Sequence, residues 1–437
     1  MESGKRLLSL DVFRGLTIAG MIMVNNPGDW SHVYPPLLHA DWHGCTPTDW
    51  VFPFFLFIVG VAISIALGKR KERGDSFGVI YRKIGYRAVV IFALGLFLAL
   101  FPNFRYEGSE GLLMPHYILL TIAMLAVFTR EVFDQESFQE AKYQKARRWL
   151  GYLALAAAAG MVIIGIGHYN WSNLRIPGVL QRIALVYAIC SVLFLKFSTR
   201  QQFWIGVGIL LAYWAMMTLV PVPGGIAPNL EPDTNLGAWL DRTILGTNHL
   251  WSQSVNWDPE GLLSTLPAIG TGICGVLTGE WLRSSKNDYE KISGLMVAGA
   301  ILLALSLCWN LYFPLNKKIW TSSYVLYVGG IAMLFLGVVY YIVDVKGKKW
   351  WIKPFEVYGM NALFAYVLSG VFAKLMGVIK WETGPDTTMN LHGWVYQTFF
   401  TPFLGDYGAS LAYALFNVAF VLAFCWILYR YRIFIKV

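Results

Sequence analysis

Runs of about 20 mostly apolar residues recur along this chain, each long enough for a helix to cross the hydrocarbon core of a bilayer. They fall at roughly 8–26, 50–68, 86–104, 112–130, 150–168, 178–197, 203–221, 265–282, 292–311, 322–343, 355–376 and 408–428. Lipid offers no partner to backbone N–H and C=O groups, so each run must close its own hydrogen bonds as a helix. The expected fold is therefore all-α, a polytopic transmembrane helical bundle of about 12 spans. A composition 56% hydrophobic and 14% charged over 437 residues excludes an ordinary soluble domain. Met1–Arg6 is short and polar and the first span carries Asp11 and Arg14, so no cleavable signal pattern is expected.

An even number of spans puts both termini on one side. Alternate connections hold Lys69-Arg70-Lys71-Glu72-Arg73, Arg82, Lys83, Arg87, the Lys142–Arg148 cluster, Lys196, Arg200, Arg283, Lys286, Lys291, Lys346–Lys353 and Arg430–Lys436. With Lys5, Arg6 and Arg130 they bring 26 of the 35 cations to the side of the termini. The positive-inside rule makes that side cytoplasmic. The net charge of +9 therefore reports orientation, and no nucleic-acid partner is expected. All seven histidines (His32, His39, His43, His116, His168, His249 and His392) fall on the opposite, outer side. Histidine suits either membrane interface, so this segregation suggests that proton handling faces out.

No independent soluble domain or internal repeat is evident, and residues 1–437 are expected to form a single transmembrane domain. Outer loops at about 27–49, 222–264 and 378–403 are expected to cap its site, since Trp239, Trp251 and Trp257 are costly to leave exposed. Cys190, Cys274, Cys308 and Cys425 lie in apolar runs and read as packing residues. Cys45 near His39 and His43 is a weak metal pattern, and no metal is expected.

The chemistry-bearing groups sit at the ends of the spans. His39 and Asp49 lie at the lip of the second span, a general base with an orienting carboxylate if the two meet. Asp11 and Arg14 share a helix face as a neutralised pair or a ligand contact. Asn25 ends the first span, as a cap or as an amide aimed at a carbonyl. Arg182 lies about a turn and a half inside its span and must face a partner or a wet cavity, with Asp49, Asp11 or a ligand phosphate as candidate partners. Asp258 and Glu260 are expected to cap the next helix, and Asn361 to bond across helices.

Several motifs together resemble the heparan-α-glucosaminide N-acetyltransferase family. They are Ser9-Leu10-Asp11-Val12-Phe13-Arg14-Gly15, then His39-Ala40-x-Trp42-x-Gly44 leading to Asp49-x-Val51-Phe52-Pro53, then Arg175-Ile176-Pro177-Gly178-Val179-Leu180-Gln181-Arg182. Asp241-Arg242, His249-Leu250, Asp258-Pro259-Glu260-Gly261, Asn316-Lys317-x-x-Trp320, Val343-Asp344-Val345-Lys346-Gly347 and Gly359-Met360-Asn361 continue it in order along nearly the whole chain. The resemblance implies a membrane enzyme that uses cytosolic acetyl-CoA to acetylate the amine of a terminal glucosamine on the far side. The family's active-site histidine falls on His39, its asparagine on Asn25 and its aspartate on Asp49. Arg14, Arg182 and Asn361 are expected to hold acetyl-CoA, and Trp42, His249, Asp258 and Glu260 the amino-sugar acceptor. His39 acts either by accepting the acetyl group or by deprotonating the sugar ammonium. Membrane lipid is an expected partner and a homodimer a possible one. Unlike the animal enzymes, this sequence begins without a lumenal domain and leading span, and it carries an added helical pair at about 112–168. These departures suggest a protein of the bacterial inner membrane with His39 facing the periplasm. An O-acyltransferase of envelope glycans and an amino-sugar transporter stand as the alternatives.

Overall fold

The computed structural model describes residues 7–101, 110–133, 138, 140–166, 171–384 and 387–435. Its helices are α1 (Leu8–Asn25), α2 (Val51–Glu72), α3 (Phe77–Leu100), α4 (Leu113–Val132), α5 (Ala141–Ile166), α6 (Val179–Lys196) and α7 (Thr199–Leu219). A short α8 (Leu236–Leu245) precedes α9 (Thr265–Arg283), α10 (Asp288–Asn310), α11 (Ser322–Tyr340), α12 (Lys353–Met360) and α13 (Ala362–Val378). An antiparallel pair, β1 (Lys380–Gly384) and β2 (Thr387–Asn390), leads to α14 (Leu391–Phe399) and α15 (Thr401–Arg430). The outer segment 378–403 is thus not all loop, because part of it pairs Trp381 opposite Met389.

Within the described residues, each of the twelve expected spans is helical over most of its length. Nine are long and apolar enough to cross a membrane by themselves among the described residues. One expected span, 355–376, is instead two helices, α12 and α13, bent by 87°. Asn361 breaks it, with φ −123° and ψ 38°. Its amide donates to Ile433 O at 3.0 Å and its oxygen accepts from Ile435 N at 2.9 Å, so the C-terminal tail holds the bend. Asn361 therefore bonds the tail backbone rather than a neighbouring helix. The other two departures from simple hydropathy are α4, whose apolar stretch is Ile118–Val127, and α9.

The sequence of α9 explains its low hydropathy. It holds Gly270, Gly272, Gly275 and Gly279 with Thr271 and Thr278, and these lie buried in the protein rather than against lipid. A helix in that place needs small side chains for close contact more than lipid-grade hydrophobicity. A Cβ on Gly275 would lie 2.0 Å from Phe57 O, and one on Gly60 would lie 2.1 Å from Gly272 O. The α2–α9 crossing is therefore made backbone to backbone. Around it, Leu56, Ile63, Ile91, Leu180, Val186, Ile273, Val276 and Val328 form the largest apolar core, joining α2, α3, α6, α9 and α11. A second cluster seats α1 against α12, α13 and α15 through Ile18, Ile22, Tyr358, Ala365 and Val421.

The bundle has two chemically distinct ends. At one, Asp344 accepts from Ser9 N, Arg283 pairs with Glu72, Tyr340 bonds Asp288 and Lys353 pairs with Glu356, so the basic connections gather there. At the other, Gly28 N bonds Ser410 O, Ile176 N bonds His249 O, and Gly44 N bonds Leu315 O. His32, His39, His43, His249 and His392 lie at this second end, which α4 enters with His116. His168, Lys5, Arg6 and Lys436 lie outside the described residues.

Candidate active site

The second end is built around Asp49. Pro47–Trp50 forms a 3₁₀ turn that runs into α2, and Thr46 and Asp49 close a capping box around it. Asp49 Oδ2 accepts from Thr46 N at 2.9 Å, Thr46 Oγ1 at 3.1 Å and Ala40 N at 3.2 Å. Its other oxygen, Oδ1, lies 2.7 Å from His39 Nδ1 and 3.5 Å from Lys317 Nζ. The carboxylate is 1% exposed, so these donors replace nearly all of its water. Removing an ion from water costs several kcal/mol, and each hydrogen bond to a charged group returns roughly 1.5–3 kcal/mol. A buried carboxylate with this donor set is sustained as an anion.

That arrangement sets which nitrogen faces the carboxylate. A carboxylate oxygen accepts, so Nδ1 of His39 donates, and in the neutral ring Nε2 keeps the lone pair. The imidazole itself is exposed. Lys317 Nζ stands 3.0 Å from Nδ1 and 3.3 Å from Nε2, abreast of both ring nitrogens. Burial pulls the Lys317 ammonium below its ordinary range, against the opposing pull of Asp49 and Glu260. Tyr324 fixes the turn from below by donating to Asp49 O at 2.6 Å.

Lys317 is held by its own turn. Asn316 N donates to Thr321 Oγ1 at 3.1 Å, Asn316 Oδ1 accepts from Ile319 N at 3.1 Å, and Thr321 N bonds Asn316 O at 3.0 Å. Trp320 takes φ +54°, a region that bulky residues rarely occupy. The indole compensates by burial: it donates to Thr271 Oγ1 at 3.2 Å, meets Phe52 edge-on at 5.1 Å and covers the Arg182 guanidinium at 5.1 Å. Lys318 donates to Asp41 O and lies 5.8 Å from the Trp257 ring centre.

A second charged cluster lies beside the first. Arg175 donates through Nε to Asp258 Oδ2 at 2.9 Å and through Nη2 to Asp258 Oδ1 at 2.7 Å and Glu260 Oε2 at 2.6 Å. Asp258 and Glu260 are thus not helix caps: α9 starts later, at Thr265, and Asp258 turns back on Glu260 N at 2.9 Å. Arg182 is 1% exposed and donates through Nη2 to Gly261 O at 3.1 Å and Ser264 Oγ at 2.5 Å. Its partners are neither of the aspartates expected from sequence. Its Nε and Nη1 have no hydrogen-bond partner among the described residues. Asp241 accepts from Leu262 N at 2.8 Å, and burial, reinforced by the charge of Asp258, raises its carboxyl to about 6. Asp241, Trp257, Asp258, Ser264 and Lys318 line a cavity of about 10 Å³.

The remaining expected site residues divide between the two ends. His249 Nδ1 donates to Leu174 O at 2.7 Å, which leaves its Nε2 as the acceptor nitrogen. Trp42 donates to Leu230 O at 2.8 Å and meets Trp257 edge-on at 5.1 Å, so it ties the 27–49 segment to the 222–264 cap. Asn25 is exposed at the end of α1, and no hydrogen bond joins it to the His39–Asp49 pair among the described residues. Arg14 lies at the basic end, bonded to Asp11 at 3.3 Å and Gly359 O at 3.2 Å, and Asn361 is near it. Arg14 and Asn361 therefore share one end while Arg182 belongs to the other. Arg175, Lys317 and Trp320 are the site members that single-residue reasoning passed over. The signal for the cations was available: both stand on the side that positive charge otherwise avoids.

Residues 6–109 match the family model described as heparan-alpha-glucosaminide N-acetyltransferase, catalytic. That segment includes Asn25, His39, Trp42 and Asp49. Similarity extends much further along the chain. Heparan-alpha-glucosaminide N-acetyltransferase of Homo sapiens is 28% identical over 416 residues, covering 84% of this chain and 53% of the human protein. Its counterpart from Mus musculus is 28% identical over 415 residues with the same coverage. The chain spans about half the length of these curated relatives.

Proposed function

We propose that this chain, 28% identical over 84% of its length to heparan-alpha-glucosaminide N-acetyltransferases, moves an acetyl group across a membrane from acetyl-CoA to the amine of a glucosamine-type sugar. The observation that carries this reading is the 2.7 Å contact of exposed His39 with buried Asp49. It presents a bare Nε2 to one side and an anion behind, the arrangement a general base needs. In this reading His39 removes a proton from the sugar ammonium or from the attacking amine, and Asp49 stabilises the imidazolium that forms. Asn25 is assigned to the acetyl carbonyl once both substrates are bound. The nucleotide of acetyl-CoA is drawn to the basic end, where lysines and arginines of the short connections, with Arg14 and Asn361 behind them, offer complementary charge. The donor arm then runs through the bundle toward His39. Arg182 attends its acyl end from the outer half.

The acceptor would enter from the histidine end. Trp42 and Trp257 offer aromatic faces there, and Asp258, Glu260 and His249 offer acceptors for its hydroxyl and ammonium groups. A single domain roofed by the 27–49, 222–264 and 378–403 segments, with the roof toward the periplasm of a bacterial inner membrane, fits the placement of charge. An acetyl-transfer assay on purified protein tests the proposal, with glucosamine, N-acetylglucosamine and a short amino-terminated heparan fragment as acceptors. Transfer to the free amines and none to N-acetylglucosamine is expected. His39→Ala should fold and lose transfer by about 10²-fold or more; a folded variant with full turnover would defeat the assignment. Acetyl-CoA alone should leave no acetyl on the protein, because His39 acts as base rather than as acyl carrier.

A further inference from the structure

We propose that Lys317 completes the His39–Asp49 site, holding the imidazole neutral before reaction and supplying the hydrogen bond that the acetyl oxyanion needs during it. The reading of the reaction it serves is the acetyl transfer proposed above; the clamp itself stands on the geometry. Lys317 Nζ lies within 3.3 Å of both ring nitrogens and 3.5 Å from Asp49 Oδ1. Nδ1 already gives its hydrogen to Asp49, and the ammonium, abreast of both ring nitrogens, lies over the ring as a charge rather than along the in-plane lone pair of Nε2. A cation there opposes a second proton on the imidazole, since like charges at this range disfavour ionisation. The ring therefore stands between an anion at Nδ1 and a cation over its face.

The position is built rather than incidental. The side chain of Lys317 is 18% exposed, unlike an ordinary surface lysine. Its turn is fixed by four hydrogen bonds among Pro314, Asn316, Ile319 and Thr321, and by Trp320 wedged against Arg182. Other charged or titratable groups surround the pair, and Tyr324 among them donates to Asp49 O. Cys45 and Asp41 lie on the His39 segment, Lys318 is bound to Asp41 O, His43 meets Asn316 at 3.4 Å, and Glu260 reaches Lys317 from the Arg175 cluster. None of them is within hydrogen-bond range of the His39 ring among the described residues.

The step balances without a further reagent. The sugar amine attacks the thioester carbonyl carbon, and the C=O π pair moves to oxygen, where a Lys317 N–H donates to it. His39 Nε2 takes the proton of the attacking nitrogen. Collapse of the intermediate restores C=O, breaks the C–S bond, and the sulfur leaves with the electron pair and then the proton held on His39. Lysine is needed once as a cation and never as a nucleophile.

The test measures the ring directly, so its outcome does not depend on turnover. In protein carrying ¹⁵N- and ¹³C-labelled histidine, with His39 assigned through His39→Asn, the wild type at neutral pH should show Nδ1 protonated and Nε2 bare. Lys317→Met should raise the His39 titration midpoint by about one pH unit, whereas Lys317→Arg should hold it within a few tenths. An unchanged midpoint in folded Lys317→Met overturns the clamp. If that variant does not fold, Lys317→Gln takes its place, and a protonated Nε2 in the wild type overturns the proposal without any variant. In the transfer assay Lys317→Met should lower kcat more than tenfold with little change in the KM for acetyl-CoA, and shift the acid limb of kcat/KM upward by the same unit. Absence of acetyl transfer by the wild type would defeat the reaction assignment and leave the spectroscopic result to decide the clamp.

Discussion

Asp241 shows what single residues cost at this end of the bundle. The residue is 3% exposed and accepts from the backbone N–H groups of Leu262 and Asp258, and burial, with the charge of Asp258, raises its carboxyl to about 6 from 3.8. The folded protein then binds this proton more tightly than the unfolded chain does. Between about pH 4 and 6 the folded state holds more protons, so this residue's contribution to stability falls as pH rises through that window. The full penalty, on the order of 3 kcal/mol, is present above the folded value. Asp241→Asn keeps the acceptor oxygen for Leu262 N–H and removes the charge. Its melting temperature should therefore equal that of the wild type near pH 4 and exceed it progressively up to pH 7, read from parallel thermal scans in one detergent. Equal melting temperatures at pH 7 would contradict the raised value. At this scale sequence disclosed half of the site. His39 and Asp49 announce themselves, because titratable groups at the lip of an apolar run have few other uses. Lys317 and Arg175 show only that they stand on the side positive charge otherwise avoids; nothing local marks their burial against carboxylates 268 and 83 positions away.

At the scale of elements, hydropathy marked where the helices lie and missed which of them the others surround. α9 and α2 illustrate the reason. Apolar character reports contact with lipid or core alike, whereas the α2–α9 crossing depends on the absence of side chains at Gly60, Gly272 and Gly275. The bend at Asn361 was equally hidden, since it is set by hydrogen bonds to a tail some 70 residues later. Two glycines separate packing from propensity. Gly275→Ala places a Cβ 2.0 Å from Phe57 O, a backbone atom that moves only if the helices part. Overpacking of this kind costs about 1–3 kcal/mol. Gly208→Ala, in α7, meets nothing within 4 Å and gains helix propensity of about 0.5–1 kcal/mol. Gly275→Ala should therefore lower the melting temperature while Gly208→Ala leaves it equal or higher. The same pair bears on the site, because α2 carries Asp49 at its start and α9 carries Thr271 beneath Trp320. Loss of turnover in Gly275→Ala beyond its loss of folded protein would show that the crossing sets the spacing between His39 and Lys317.

For the molecule as a whole, the two ends have opposite chemistry and the proposed reaction needs both. Acetyl-CoA carries several negative charges, and the basic end offers Lys346, Lys348, Lys349 and the Lys69–Arg73 run to them. The acceptor chemistry gathers at the other end, where His39, Asp49, Lys317 and the Arg175 cluster replace water around buried charge. The positive-inside expectation from the distribution of lysine and arginine would put the two proposed substrates on opposite sides of the membrane. Orientation is directly measurable in a cysteine-free background. Ser252 is exposed on the cap over the histidine end and Lys348 is exposed at the basic end. In intact bacterial cells expressing single-cysteine variants, a membrane-impermeant maleimide should label Ser252→Cys at once. Lys348→Cys should label only after the membrane is permeabilised. Labelling of the two in the reverse order would put His39 in the cytosol beside its own acetyl donor, and the transfer would then cross no membrane.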